Sequence, residues 1–313
     1  MNAYTNPADP YQKCLNHAHK VNWDIDTDVI KFRALERQHK FLPDSLSLVR
    51  QLTFLTDDQQ CFLSQVQGRS YAYIFGLVER FINAKILELS GDHVLGDQTI
   101  LSALIQFSQE ELKHQELFRR TENLAAAVMP EGYVMTANPD DVAQAVLSKS
   151  SWAVLALTCH IEIFTQVHYL HSIKDDAGLS PLFKDIFHYH WLEEAQHATL
   201  DELEWQRVHA SLDDAQIEQG VNDLIDLVVA VDGILQAQSA ADARYFCENS
   251  GTSLNSEQYD AVAALLLKAY RHQYIVSGVQ VERFQRALFD KISDQQQQKI
   301  LTALTPLIEY VAA

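Results

Sequence analysis

The chain is expected to be all-α, a four-helix bundle with an N-terminal arm before it and further helices packed on it afterwards. Three observations carry that expectation. Apolar residues recur at helical spacing over four long stretches opened by capping signals. Each of those stretches carries Glu on its face, and two of them carry Glu-x-x-His. Beyond residue 210 the pattern stays helical and no linker composition intervenes, so with 313 residues, 47% of them hydrophobic, one large core is within reach.

Residues 1–44, with Pro7, Pro10 and Pro43 in polar, aromatic-dotted sequence, read as an extended arm anchored by Trp23 and Phe32. The bundle occupies 45–210. Thr56-Asp-Asp-Gln is a capping box, and the apolar face that follows, which holds Glu79, runs to Gly91. Asp97 opens the second helix, with Glu111 and His114 on the face of Leu104, Phe107 and Phe118; Met129-Pro130-Glu131-Gly132 ends the hairpin. Asn138-Pro139-Asp140 caps a third helix reaching about Lys174 and carrying Glu162. Ser180 caps the fourth, which Pro181 enters without loss of a hydrogen bond and which continues to His209. Each should be near or above about 25 residues, or about 40 Å at 1.5 Å per residue. In 211–313, Ser211-Leu-Asp-Asp opens a helix to about Asn249, Ser256 one to about Ile292, and Ser293 the last; these belong to the same domain.

The formal charge is −18, from 24 Lys and Arg against 42 Asp and Glu, which argues against a phosphate-binding surface and a nucleic-acid partner. Cys14, Cys61, Cys159 and Cys247 are far apart with no Cys-x-x-Cys, as in a reduced, cytoplasmic chain. MNAYTNPADPY has neither a basic nor an apolar leader region, so no signal peptide is expected. The most apolar runs, Ala153–Leu157 and Leu224–Leu235, are short or interrupted by Asp226 and Asp232, so no membrane span is expected.

On the fourth helix His190, Glu194, His197 and Asp201 recur at steps of four, three and four and share one stripe. One Glu-x-x-His arises easily by chance on a solvated helix. Here it occurs twice, as Glu111/His114 and Glu194/His197, and thirty-two residues separate Glu79 from Glu111 and again Glu162 from Glu194. Two copies of one unit therefore supply four carboxylates and two imidazoles, a donor set suited to a pair of Fe or Mn ions, mixed Mn/Fe included. Glu111 and Glu194 are the expected bridges, Glu79 and Glu162 the terminal ligands. Glu110 and Glu193 precede the motif acids and could accept the N–H of the opposite pair's imidazole; Asp201 is a third such partner. His190 is either a seventh ligand or a hydrogen-bonded core histidine. His160, His168 and His171 point off the Glu162 face. Ala72, Gly76, Thr158 and Thr165 fall near the ligands by helical phase and would leave room for a substrate, or would only let helices pack closely.

Over about residues 50–210 these motifs resemble the ferritin-like di-iron oxygenases, and are most similar to the p-aminobenzoate N-oxygenase family. That family's pattern of Glu, Glu-x-x-His, Glu and His-x-x-x-Glu-x-x-His falls on Glu79, Glu111 and His114, Glu162, and His190, Glu194 and His197. The resemblance implies a ferritin-like bundle and a homodimeric oxidoreductase. It implies a monooxygenase, with O2 as co-substrate and those seven residues acting through two iron ions, that oxygenates an aryl amine nitrogen. A separate reductase or ferredoxin would deliver electrons, because no Gly-x-Gly-x-x-Gly nucleotide fingerprint occurs. Acyl desaturases and other di-iron oxidases compete, although the desaturase pattern lacks the histidine at 190. From another class comes ferritin-like iron storage, which leaves the residues after the fourth helix unexplained.

Overall fold

In the computed structural model, which describes residues 9–313, every long helix begins at a side chain that accepts an otherwise unpaired backbone N–H. The helices are α1 (Pro10–Ala18), α2 (Asp44–Ser47), α3 (Asp57–Ser90), α4 (Gln98–Val128), α5 (Pro139–Leu147), α6 (Ser151–His168), α7 (Pro181–His209), α8 (Asp214–Asn249), α9 (Ser256–Arg271), α10 (Ser277–Val279), α11 (Glu282–Phe289) and α12 (Asp294–Ala312). The described residues contain no strand. The hairpin α3–α4 lies against the hairpin α6–α7, with α8 and α9 outside them, so the architecture is an all-helical bundle. One apolar core runs from Tyr11 and Trp23 in the arm to Leu304 in α12.

Four expectations are corrected. The arm is not extended: Asp9 caps α1, and Ile25–Ile30 forms a π-helical turn capped by Asp24. Of its expected anchors Trp23 is buried, but Phe32 is fully exposed, because Lys31 and Phe32 both adopt left-handed backbone (φ 52° and 60°) that turns the chain outward. Pro7 lies outside the described residues.

The third bundle helix is two helices. Ser150 caps α6 afresh by accepting the Ala153 N–H, while its own N–H is taken by Asp223 of α8 at 2.9 Å. Local serine hydrogen bonds thus outcompete helix continuation at 148–150, and α6 has 18 residues before the π-helical turn Tyr169–Ile173. The helix expected from Ser256 to Ile292 is also divided. Asn255 is its cap, a π-helical turn follows at His272–Val276, and Gly278 passes so close to His160 that a Cβ there would overlap the imidazole.

The run Leu224–Leu235 lies inside the 36-residue α8, the continuous helix expected there, and its acids are paired: Asp226 with Lys149 at 2.7 Å and Asp232 with Arg271 at 2.6 Å. By length and composition alone, Ser151–Ile173 and Asp214–Asn249 are apolar enough to cross a membrane; 83% of the first's most apolar window is buried in the fold, against 28% of the second's.

Asp242 of α8 joins the outer helices to the bundle. Its Oδ2 accepts the hydroxyls of Ser70 on α3 (2.5 Å) and Tyr270 on α9, and its Oδ1 accepts Gln238 Nε2 at 2.9 Å. Burial pushes this carboxyl from 3.8 up to about 7, although those hydrogen bonds pull the other way. The folded state therefore binds the proton more tightly than the unfolded chain. The associated stability is complete below pH 3.8 and lost as pH rises through about 7. Asp242→Asn, which cannot ionise, should lose less stability than the parent between pH 5 and 8 in thermal melts, so that the gap between the two Tm values narrows as pH rises; a constant gap would show that Asp242 does not titrate there.

Candidate metal centre

The two hairpins bring the seven candidate donors together in the core. Glu79 comes from α3, Glu111 and His114 from α4, Glu162 from α6, and His190, Glu194 and His197 from α7; none is more than 2% exposed. Two overlapping clusters result, Glu79, His114, His190 and Glu194, and Glu111, His114, Glu194 and His197, each with donor atoms within 4.8 Å of one another. Glu194 Oε1 faces three imidazoles, at 3.1 Å from His114 Nδ1, 2.9 Å from His190 Nε2 and 3.5 Å from His197 Nδ1. Glu111 Oε1 faces two, at 3.0 Å from His197 Nδ1 and 3.7 Å from His114 Nδ1, and Glu79 Oε1 one, at 3.0 Å from His190 Nε2. The two acids expected to bridge are thus the two that face more than one ring. Glu162 belongs to neither cluster.

Several donor atoms here lack any hydrogen-bond partner while fully buried: Glu79 Oε2, both oxygens of Glu111 and of Glu162, Glu194 Oε1, and the Nδ1 atoms of His114, His190 and His197. Buried polar atoms are almost always paired, so this concentration is compatible with a bound metal pair. Protonation partly substitutes for it. Burial, and then the neighbouring Glu111 and Glu194 carboxylates, push Glu79 and Glu162 well above the ordinary range. For Glu111 burial acts upward too, but the adjoining Glu79, His114 and His197 outweigh it and bring the group to about 2. His114 and His197 rise well above an ordinary imidazole, against burial, because carboxylates surround them. Four carboxylates and three imidazoles fit two divalent cations in charge and in donor type.

The outer contacts fix which nitrogen points inward. His114 Nε2–H donates to Glu193 Oε2 at 2.9 Å and His197 Nε2–H to Glu110 Oε2 at 2.9 Å, each imidazole using the acid of the other copy. Both rings therefore present Nδ1 to the cluster. His190 is turned the other way, with Nε2 inward. Two residues escape sequence reasoning although aligning the copies could have found them. Lys113 and Gln196 occupy the same place in Glu110–His114 and Glu193–His197; Lys113 Nζ lies 2.6 Å from Glu193 and Gln196 Nε2 donates to Glu110 at 2.7 Å. The same alignment sets His190 against Phe107, whose ring stacks on His197 at 3.9 Å. The arm closes the site, as Trp23 stacks on His114 at 6.1 Å and Lys113 lies over the indole.

Other expectations fare differently. Asp201 is fully buried, but it makes no contact with a cluster imidazole and both its oxygens are unpaired; burial pushes its carboxyl well above the usual range. The expected substrate pocket is not formed by its four residues together. Ala72 and Gly76 floor a groove of about 240 Å³ rimmed by Arg80 and Arg119. Thr158 and Thr165 instead donate to the Leu155 and Ile161 carbonyls of their own helix. A Cβ at Gly76 would stand 3.1 Å from Phe118 Cβ, so there the small residue serves close packing of α3 on α4. His160 and His168 lie off the cluster, as expected. Their partners are the Ile275 carbonyl and the Tyr71 hydroxyl, and burial lowers them to about 4 and about 3.

No protein-family model matches the chain, and no curated protein matches it. What the centre can do follows from its donors and their partners. Glu110→Gln or Glu193→Gln leaves volume unchanged but removes the anion that holds each imidazole N–H, so transition-metal affinity, measured by chelator competition, should fall about 10- to 100-fold with unchanged helicity; unchanged affinity would deny these acids that role.

Proposed function

We propose that the chain holds two transition-metal ions, iron or manganese, and acts as a di-iron, O2-dependent monooxygenase on a small organic substrate. The observation that carries this reading is the single Glu194 oxygen facing three buried imidazoles amid unpaired carboxylate oxygens. Glu79, His114, His190 and Glu194 would hold one ion; Glu111, Glu194 and His197, with Glu162 beside them, would hold the other. When bound, such ions supply the redox chemistry that O2 activation requires.

The side chains do the rest. Glu110 and Glu193 keep a proton on each outer Nε2 and so keep Nδ1 free as a ligand atom. Glu79 and Glu162, which burial disposes to hold a proton, can take one up or release it as the charge of the centre changes. Phe75, Phe107, Phe118 and Trp23 keep water from the rings. His190, with no counterpart in the first copy, makes the two halves inequivalent. On the ferritin-like resemblance of its motifs, the reaction is the N-oxygenation of an aryl amine in a cytoplasmic homodimer, with electrons from a separate reductase or ferredoxin.

Protein produced in iron-rich medium should carry about two iron or manganese ions per chain by elemental analysis. Glu111→Ala and Glu194→Ala should halve or abolish that content. His190→Ala should keep it and change the O2 reaction of the reduced protein in stopped-flow traces, with discharge of the product of that reaction by aryl amines in the parent. Absence of any bound transition metal would end this reading, and iron far beyond two per chain would select storage instead.

A further inference from the structure

The rings packed on the three cluster imidazoles differ in how readily they give up an electron. His190 meets Phe75, Phe118 and Phe187, and His197 stacks on Phe107, and a benzene ring resists one-electron oxidation far more than an indole or a phenol does. Of the three imidazoles only His114 meets an indole. Trp23 lies parallel to it within 9°, with ring centroids 6.1 Å apart, and is 5% exposed. Trp23 in turn meets Tyr189 at 5.8 Å. Tyr189 is half-buried, and its hydroxyl, neither enclosed nor hydrogen-bonded within the protein, reaches water. Two oxidisable rings therefore lead from His114 to the surface, while the rings on His190 and His197 other than imidazoles are all phenylalanine. Tyr71, behind Phe75 and Phe187, is fully buried and offers no such exit.

The polar surroundings of Trp23 decide how it would behave on losing an electron. Its Nε1 is buried with no acceptor, so an oxidised indole could not shed its proton and would remain a cation. Lys113 Nζ stands 3.8 Å from the centroid of the indole ring, kept there by Glu193 Oε1 at 2.6 Å. That ammonium favours the neutral indole and opposes the cation. Positive charge would thus pass from Trp23 to Tyr189, which can release its proton to water as it is oxidised. The turn after Trp23 is tied to the bundle by Asp26 with Arg120 at 2.5 Å, and Arg33 beyond it by Asp185 at 2.7 Å, so the indole is held in place from both sides.

We infer that Trp23 and Tyr189 form a one-electron route between His114 and solvent, which completes the reduction of O2 when no organic substrate is bound. The inference rests on the proposed di-iron oxygenase reading. Taking O2 to two waters requires four electrons and four protons, and two ions that each give one electron supply half of the electrons. For the other half, Trp23 gives an electron through His114 and takes one from Tyr189, whose O–H proton goes to water. An external one-electron reductant of the ascorbate or thiol class then returns an electron and a proton to Tyr189. Two such passages, with protons drawn from solvent, balance the reaction, and the oxidising equivalents leave the core instead of attacking the donors.

The test mixes the reduced, iron-loaded protein with O2 in the absence of substrate and freezes samples for electron paramagnetic resonance, with iron content measured on the same preparation. The parent should give a tyrosyl signal that ascorbate removes. Trp23→Phe should keep its iron and form the tyrosyl at least about tenfold more slowly, while peptide mass spectrometry finds added oxygen on the α4 and α7 segments that carry the donors. Trp23→Tyr, which again puts an oxidisable ring on His114, should restore a tyrosyl signal. Tyr189→Phe, at a half-buried position, should replace the tyrosyl signal with an indole one. If Trp23→Phe loses iron, this last variant decides by the same signals. Full iron with no radical in the parent, or an unchanged tyrosyl in Tyr189→Phe, would overturn this inference alone, as would a Trp23→Tyr protein with no more signal than Trp23→Phe. A parent that binds no transition metal would overturn the oxygenase reading and this inference together.

Discussion

The fold depends on keeping the Glu194 carboxylate, fully enclosed, in contact with three imidazoles from two helices. Within a protein of effective dielectric about 20, two unit charges about 4 Å apart interact by roughly 4 kcal/mol, and several such terms of both signs meet here. The bundle tolerates them because the acids and rings alternate, and because Glu110 and Glu193 extend the alternation one layer outward. Removing one member leaves the others with unmatched charge, which is far more damaging than removing an exposed pair. The proposed cations complete the same alternation from inside.

Much of this was legible in the sequence because it rests on local rules. Thr56, Asp97, Ser180 and Ser293 begin their helices where capping chemistry places them, and the spacing of Glu79, Glu111 and Glu194 puts their side chains in two overlapping clusters, with Glu162 against Glu194. The crossed use of Glu110 and Glu193 was readable for a related reason, since a residue one position before a ligand points to the neighbouring helix. What stayed hidden depends on contacts between distant segments. The break at Ser148–Ser150 needs Asp223 from α8 to hold the Ser150 N–H.

The two copies are not equal, and the inequality is concentrated on α7. Its His190 stands where α4 has Phe107, so one cluster gains a nitrogen while the other gains a stacked ring. Lys113 neutralises the acid behind His114, whereas Gln196 only hydrogen-bonds the acid behind His197. A duplicated framework with unlike substituents lets one half change its donors while the other retains them.

Trp23 lies ninety-one residues before the imidazole it covers. It can settle only once Lys113 and Tyr189 have been presented by helices made much later. The roof over His114 is therefore a long-range contact, supplied by the arm and by neither hairpin.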